Sequence, residues 1–452
     1  MTDATAAPYP GYGSKSYRAY VLFAIVIIYT FNFIDRILLA VLQEGIKTDL
    51  HVDDFQLGLL GGPYFAVLYT LAGIPIARWA ERSNRISIIA MGAAVWSVMT
   101  AACGVAMNFA QLAAARIGVG IGEAACSPPA QSVISDYFPA QRRATALAIY
   151  GLGIPIGTMI AALGGGWLVG HMSWRFAFLA LGAPGLIAAL LFKLTVREPP
   201  RAGSQGEKAP SFSATLKTLM STPTFWHIAF AGALMSFVGY STSQFLVSFI
   251  VRNYEIGATI QEEIANASYA LGIISGVSVG IGTFAGGFLC DRLSPRFPGV
   301  YAWLPGVGVL IALPLYLFSF TQTSFQIAFA ILLVAPIFHY MYLGPMFAVV
   351  QSVSPVRMRN TAVAVSLLII NLIGYGLGPP TMGALSDFFA NNELTQLGLS
   401  VAACKLPTAG PECAAPIAHG LKTAMFCVVC VLIWPALHFF LGARTLQKDR
   451  VS

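Results

Sequence analysis

Long apolar runs alternate with short charged segments along almost the whole chain. Runs that could cross a bilayer fall at about 19–42, 55–77, 86–107, 109–135, 144–169, 174–196, 224–251, 264–290, 300–320, 324–353, 360–386 and 423–443. A hydrocarbon core needs about 20 apolar residues per helix, so the pattern predicts twelve membrane-spanning helices and an all-α integral membrane fold. Two divisions rest on small polar breaks. Residues 86–115 are uncharged and split at Asn108, and residues 297–356 are uncharged and split at Thr321-Gln322-Thr323. One longer polar stretch, 197–217, is rich in Pro, Gly and charge and reads as a linker. The expected organisation is a six-helix bundle over 1–196, a cytoplasmic linker over 197–223 and a second six-helix bundle over 224–452.

Composition agrees with the pattern. Of 452 residues, 57% are hydrophobic and only 10% are charged, against roughly a quarter in soluble domains. A single soluble core stops growing near this length, so a soluble enzyme is excluded and the lipid bilayer is the expected surroundings. The net charge of +7 is scattered over short loops and forms no single stripe, so no nucleic-acid partner is expected. The basic residues also orient the chain. With the N-terminus inside, nineteen of the 26 Lys and Arg fall at cytoplasmic ends or loops and five on the other side. This positive-inside bias predicts that both termini are cytoplasmic. Lys15 and Arg18 precede a first run too long for a signal peptide, so that run is expected to remain as a helix.

The two halves repeat. Pro139, Arg143, Thr145, Ala146 and Ala148 recur as Pro355, Arg359, Thr361, Ala362 and Ala364, and Glu81-Arg82 corresponds to Asp291-Arg292. Parallel six-helix repeats that rock about a central site are a transporter architecture.

On these residues the chain resembles the major facilitator superfamily. Gly287, Asp291 and Arg292 keep its loop signature in the second half, with Arg296 one place late; the first half has Ala77, Glu81, Arg82 and Arg85. Arg116, Gly120 and Gly122 keep its helix-4 signature. Asn32-Phe33-Ile34-Asp35-Arg36, Arg116 through Ala124 and Arg142 through Ala146 narrow the likeness to the spinster branch and to a bacterial member. The resemblance implies proton-driven export of amphiphiles by a monomer in the bacterial inner (plasma) membrane. It also implies that the loop charges Glu81, Arg82, Arg142, Asp291, Arg292 and Arg359 act as a cytoplasmic gate, pairing between helices.

Four ionisable residues fall inside membrane runs: Asp35, Arg36, Arg116 and Glu123. Such groups are costly in a bilayer and default to a functional reading. Their charges sum to zero. Helical rise sets Asp35 and Arg116 at similar depth, roughly 10 Å below the outer surface, and Glu123 two turns deeper on the face of Arg116. Asp35 and Glu123 are the expected proton-coupling sites, Arg116 the partner that holds one of them charged, and Arg36 either an anionic-headgroup contact or part of the network. The alternative is a static buried ion pair. Tyr29, Phe33, Phe237, Tyr240, Gln244, His339 and Tyr340 are candidates for a substrate cavity, with ordinary packing as the alternative. The runs of the second half carry no charge between their ends.

No nucleotide-binding loop, metal cluster or nucleophile triad occurs in the sequence, so no catalytic residue, metal or cofactor is expected. Cys103, Cys126, Cys290, Cys427 and Cys430 read as packing residues. Cys404 and Cys413 flank a polar loop and either pair or stay free. The expected function is a proton-coupled secondary transporter of amphipathic lipids, lysophospholipid or sphingoid-lipid-like, working by alternating access. A proton-driven multidrug exporter of the same fold and a passive lipid scramblase are the alternatives.

Overall fold

A computed structural model describes residues 11–200, 212–405 and 410–451. Secondary structure among them is helical. Eleven spans are long and apolar enough to cross a bilayer: α1 (Lys15–Leu50), α2 (Asp54–Arg82), α3 (Arg85–Gly104), α5 (Thr145–His171), α6 (Trp174–Thr195), α7 (Pro223–Asn253), α8 (Ile260–Leu293), α9 (Val300–Thr321), α10 (Phe325–Ser352), α11 (Thr361–Gln396) and α12 (Pro411–Asp449). The twelfth, α4, consists of two pieces, Phe109–Glu123 and Ser127–Tyr137. Cys126-Ser127-Pro128-Pro129 interrupts it, because proline has no N–H to donate and its ring clashes with the preceding turn. The second piece restarts with proline in its first turn, where a missing N–H costs nothing.

Several helices overrun their hydropathy limits. α1 continues eight residues past 42, through Gln43-Glu44-Gly45-Ile46-Lys47 to Leu50. At 1.5 Å per residue its 36 residues span about 54 Å, well beyond a 30 Å hydrocarbon core. Asp35 is therefore 15 residues from the end of α1, not seven. The last helix begins near Ala414, not 423. α7 and α11 reach Asn253 and Gln396, so Arg252 and Asp387 lie within helices and the second half does carry helical charges. π-helical turns interrupt α8 at Ile274–Ser278 and α11 at Ile370–Tyr375.

The chain divides into two compact units, and the division runs through α1, α2 and α5. One unit holds α1 up to Arg36, Leu68–Ala161, and the chain from Arg175 through α6. The other holds Ile37–Val67, Ala162–Trp174 and α7 through α12.

In the first unit α3 and α4 meet closely. A Cβ on Gly122 would lie 2.7 Å from the backbone nitrogen of Trp96, so only glycine permits that approach. The start of the linker belongs to the same unit. Glu198 pairs with Arg85 at 2.7 Å, and Tyr137 donates to the carbonyl of Arg197. Residues 201–211 of the expected linker lie outside the described residues, and Phe212–Met220 is a short helix.

In the second unit α2 lies against α11. A Cβ on Gly58 would lie 2.6 Å from Cα of Pro380. Cys404 and Cys413 form a disulfide, packed with Leu394, Leu399, Val401 and Ile417. Cys103, Cys126 and Cys290 are buried as expected, whereas Cys427 and Cys430 are exposed on α12. Their apolar run faces outward there, so the packing expectation for these two is corrected.

Candidate functional site

The buried charges of the first unit assemble at the break in α4. Glu123 is the last residue of the first α4 piece. Unsatisfied carbonyls make a helix C-terminus electronegative, so a carboxylate there needs a cation. Arg36 supplies it: its Nε donates to Glu123 Oε2 at 2.8 Å, with Glu123 fully buried. The Arg36 guanidinium also lies over the rings of Phe33 and Tyr69, 5.0 and 4.9 Å from their centroids, a geometry that adds cation–π attraction. Helix periodicity explains the set. Phe33 and Arg36 are three apart, and Asn32 and Arg36 four apart, on one face of α1.

Asp35, the neighbour of Arg36, is also buried, and Arg116 is buried beside it. Arg116 donates to the main-chain carbonyl of Asp35 at 3.4 Å. Arg116 thus lies beside Asp35, at the depth expected, and Arg36 is part of the network. Arg36 makes an ion pair with Glu123, and Arg116 reaches the backbone of Asp35. Asp35 and Glu123 remain close enough for their charges to interact. Around them Asp35 Oδ1 and Glu123 Oε1 are buried with no hydrogen-bond partner among the described residues. Thr100 lies against the Asp35 carboxyl and Asn32 against that of Glu123. Unpartnered buried polar groups are rare in native proteins.

Sequence reasoning missed a second charge network. It lies in the second unit, where the ends of α1 and α2 meet α7 and α11. Asp54 is 1% exposed, and four donors surround its carboxylate. Lys47 Nζ reaches Oδ1, and Arg252 reaches both oxygens at 2.7 and 2.9 Å. Ser386 adds a hydroxyl at 2.6 Å. Arg252 also holds Glu44, at 2.6 and 3.1 Å. Asp387 receives the backbone N–H groups of Asp54 and Phe55, at 3.2 and 2.8 Å. It therefore caps the start of α2, whose Asp53 and Gln56 already form a reciprocal capping box. Next to this network Gln43 donates to Ser248 and accepts from Gln244 at 3.0 Å. The available signal was Asp53-Asp54-Phe55-Gln56, an N-cap followed by an acidic first turn. Its partners lie about 200 and 330 residues away and carry no local signature.

Residues 22–391 match the Major Facilitator Superfamily. The chain belongs to that superfamily. A crystal structure of a bacterial homolog to the human lysosomal transporter Spinster, in an inward-facing and unoccupied conformation, superposes with a TM-score of 0.88. It is 39% identical, over 97% of this chain and 100% of that one. An MFS-type efflux pump of Mycolicibacterium smegmatis is 30% identical over 80% of this chain and 83% of its own length. A probable sphingolipid transporter, spinster homolog 1 of Arabidopsis thaliana, is 24% identical over 77% of this chain and 75% of its own. The protein is a multi-pass membrane transporter of the spinster type and not an enzyme.

The other expected site residues of this spinster-type transporter are distributed as follows. Tyr29 stacks on Tyr150 with centroids 4.1 Å apart and meets Phe33 edge-on at 5.2 Å, which joins both to the Arg36 side of the first unit. In the second unit Tyr240 stacks on Tyr375, from the π-helical turn of α11, at 4.4 Å. Phe237 is half-buried. Gln244 is buried in the Gln43 contact described above. His339 is buried, with Nε2 3.1 Å from the Met235 carbonyl. Tyr340 lines a small cavity of about 40 Å³ with Gly239, Thr242 and Tyr316.

The expected gate charges form no ion pair among the described residues. Glu81, Arg82, Arg142 and Arg292 are exposed. Asp291 accepts from the hydroxyl of Tyr301 at 2.5 Å, and Arg359 donates to the carbonyl of Ser354 at 3.4 Å. The interhelix pairs expected for them are absent from this structure. At the same end of the first unit, Arg85 makes the ion pairs, with Asp136 and Glu198.

Proposed function

We propose that this transporter moves amphipathic lipids, lysophospholipid or sphingoid-lipid-like, by alternating access coupled to protons. Asp35 and Glu123 are the proton sites in this reading. One observation carries it: a buried Arg36–Glu123 pair with a second buried carboxyl, Asp35, beside it. Burial penalises a carboxylate and a nearby guanidinium favours it. A carboxyl that keeps its arginine in one conformation and loses it in another binds a proton more tightly in the second. Proton binding then biases the conformational equilibrium by that difference. Arg36 and Arg116 are the cations over which the two carboxyls compete.

The aromatic side chains near Arg36, Tyr29 and Phe33, suit a substrate with a polar head and an apolar tail. In the second unit the candidate substrate contacts are Phe237, Tyr240, Gln244, His339 and Tyr340. The bundles 1–196 and 224–452 are the moving parts, joined by 197–223, with Glu81, Arg82, Arg142, Asp291, Arg292 and Arg359 as the cytoplasmic gate. The protein works as a monomer in the bacterial inner membrane with both termini cytoplasmic.

The test is transport of a fluorescent lysolipid into proteoliposomes under an imposed pH gradient, comparing wild type with Glu123→Gln. Gradient-driven movement that the variant loses supports the reading. Equal movement without a gradient and in the variant would replace it with passive scrambling. The likeness to an efflux pump favours one second reading, proton-driven export of drug-like amphiphiles. Gradient-driven movement of a cationic dye with no movement of lysolipid would select it.

A further inference from the structure

A groove of about 620 Å³ opens in the first unit between the start of α1 and the segment that leads into α5. Its floor is apolar, formed by Leu22, Phe138 and Ile149 among others, and its charged lining residues are Lys15, Arg18 and Arg142. No acidic residue lines it among the described residues. Arg18 is half-buried, while Lys15 and Arg142 are exposed.

The internal repeat shows that Arg142 is not required by the loop it sits on. Arg143 Nε donates to the carbonyl of Phe138 at 3.1 Å, five residues back. Arg359, its repeat mate, does the same to Ser354 at 3.4 Å. These bonds hold the same turn after Pro139 and after Pro355. The residue matching Arg142 in the second half is Met358. Each half thus keeps the structural arginine and has a second one nearby, Arg357 in the second half and, one place later, Arg142 in the first, where it lines the groove. The helical segment Ala140–Gly151, whose N-terminus adjoins the groove, has no side-chain cap, so its positive end adds to the potential there.

We propose that this groove binds an anionic phospholipid from the leaflet on the side of the N-terminus. Its phosphate would lie among Lys15, Arg18 and Arg142, and the first carbons of its chains over Leu22 and Ile149. Charge favours an anion, since each basic group near an anionic membrane surface strengthens attraction measurably. The apolar floor favours a lipid over free phosphate. The site is separate from Asp35 and Glu123 and stands whether or not lipid is the transported substrate.

The test titrates the full-length protein in detergent with phosphatidylglycerol or with phosphatidylcholine of the same chains, and counts bound lipid by native mass spectrometry. Wild type is expected to retain phosphatidylglycerol about tenfold more tightly than phosphatidylcholine. Lys15→Gln and Arg142→Gln are expected to weaken that binding roughly fivefold each and leave phosphatidylcholine unchanged. Lys448→Gln removes an exposed cation at the end of α12 and is expected to change nothing. An absent preference, or an equal loss in Lys448→Gln, means diffuse charge and overturns the site. Displacement of the lipid by equimolar glycerol phosphate would also overturn it, making a soluble phosphoester the occupant. Both groove cations are exposed, so the fold is expected to survive their replacement. If the Arg142 variant melts early, Lys15→Gln alone decides.

Discussion

The buried carboxylates of the two units are satisfied to different degrees. Asp54, in the second unit, has four donors on its two oxygens, and its partner Arg252 is shared with Glu44. Asp35 and Glu123, in the first unit, each keep an oxygen without a partner among the described residues. A buried network with every acceptor filled resists rearrangement, whereas a partly filled one retains strain that a second arrangement can relieve. Both units bury acid in the same kind of helical packing, so depth alone does not make a carboxyl a switch. The number of donors around it distinguishes the two cases, and for that reason the proton-coupling proposal rests on the first unit.

The largest expected effect is on transport. Glu123→Gln keeps the volume and loses the charge, and is expected to lower gradient-driven lysolipid movement at least tenfold while the protein still melts near the wild-type temperature. Asp54→Asn, judged by the same assay and melt, is expected to do the reverse, costing stability first. Next is Arg252→Ala, which leaves Asp54 and Glu44 buried without their shared cation. Breaking such a pair costs about 3–5 kcal/mol, visible as an early thermal transition in detergent. Asp35→Asn, which removes an incompletely satisfied charge, is expected to stay within about 1 kcal/mol of wild type. Similar costs for Arg252→Ala and Asp35→Asn would erase the contrast between the units.

Two smaller effects sharpen it. Cys404→Ser opens a disulfide whose ends are nine residues apart. Loop closure of that size is worth about 2–3 kcal/mol, so the variant should match reduced wild type in a melt. Thr100→Val deletes the hydroxyl beside the Asp35 carboxyl and conserves volume. It is expected to change stability by less than about 1 kcal/mol. A larger loss would mean that the hydroxyl is bonded in the resting protein.

Much of the fold was legible because a bilayer imposes a length on every span. The twelve runs needed only hydropathy, and Arg143 and Arg359, which the repeat aligned, make the same bond in both halves. Asp35, Arg36, Arg116 and Glu123 were legible as a set, because a charge inside an apolar run is costly wherever it pairs. Arg116 lies beside Asp35 as their depths predict, whereas the Arg36–Glu123 pair needed the fold. The sequence leaves Arg36 as either a headgroup contact or part of the network, and only the packing of α1 on α4 decides. The Asp54 network escaped for a related reason: Glu44, Lys47, Arg252 and Asp387 lie just past the apolar limits, where charges are ordinary.

The sequence by itself determined the all-helical membrane class, the repeat, the spinster resemblance and the identity of the charged residues in the helices. These depend on composition and on periods of a few residues, which the chain carries locally. Tertiary structure decided that Glu123 ends a helix and pairs with Arg36, that Asp387 caps α2 across more than 300 residues, and that Cys404 joins Cys413. Each of these requires two distant segments to meet at hydrogen-bond or bond length, and that distance is set by how the helices pack and break.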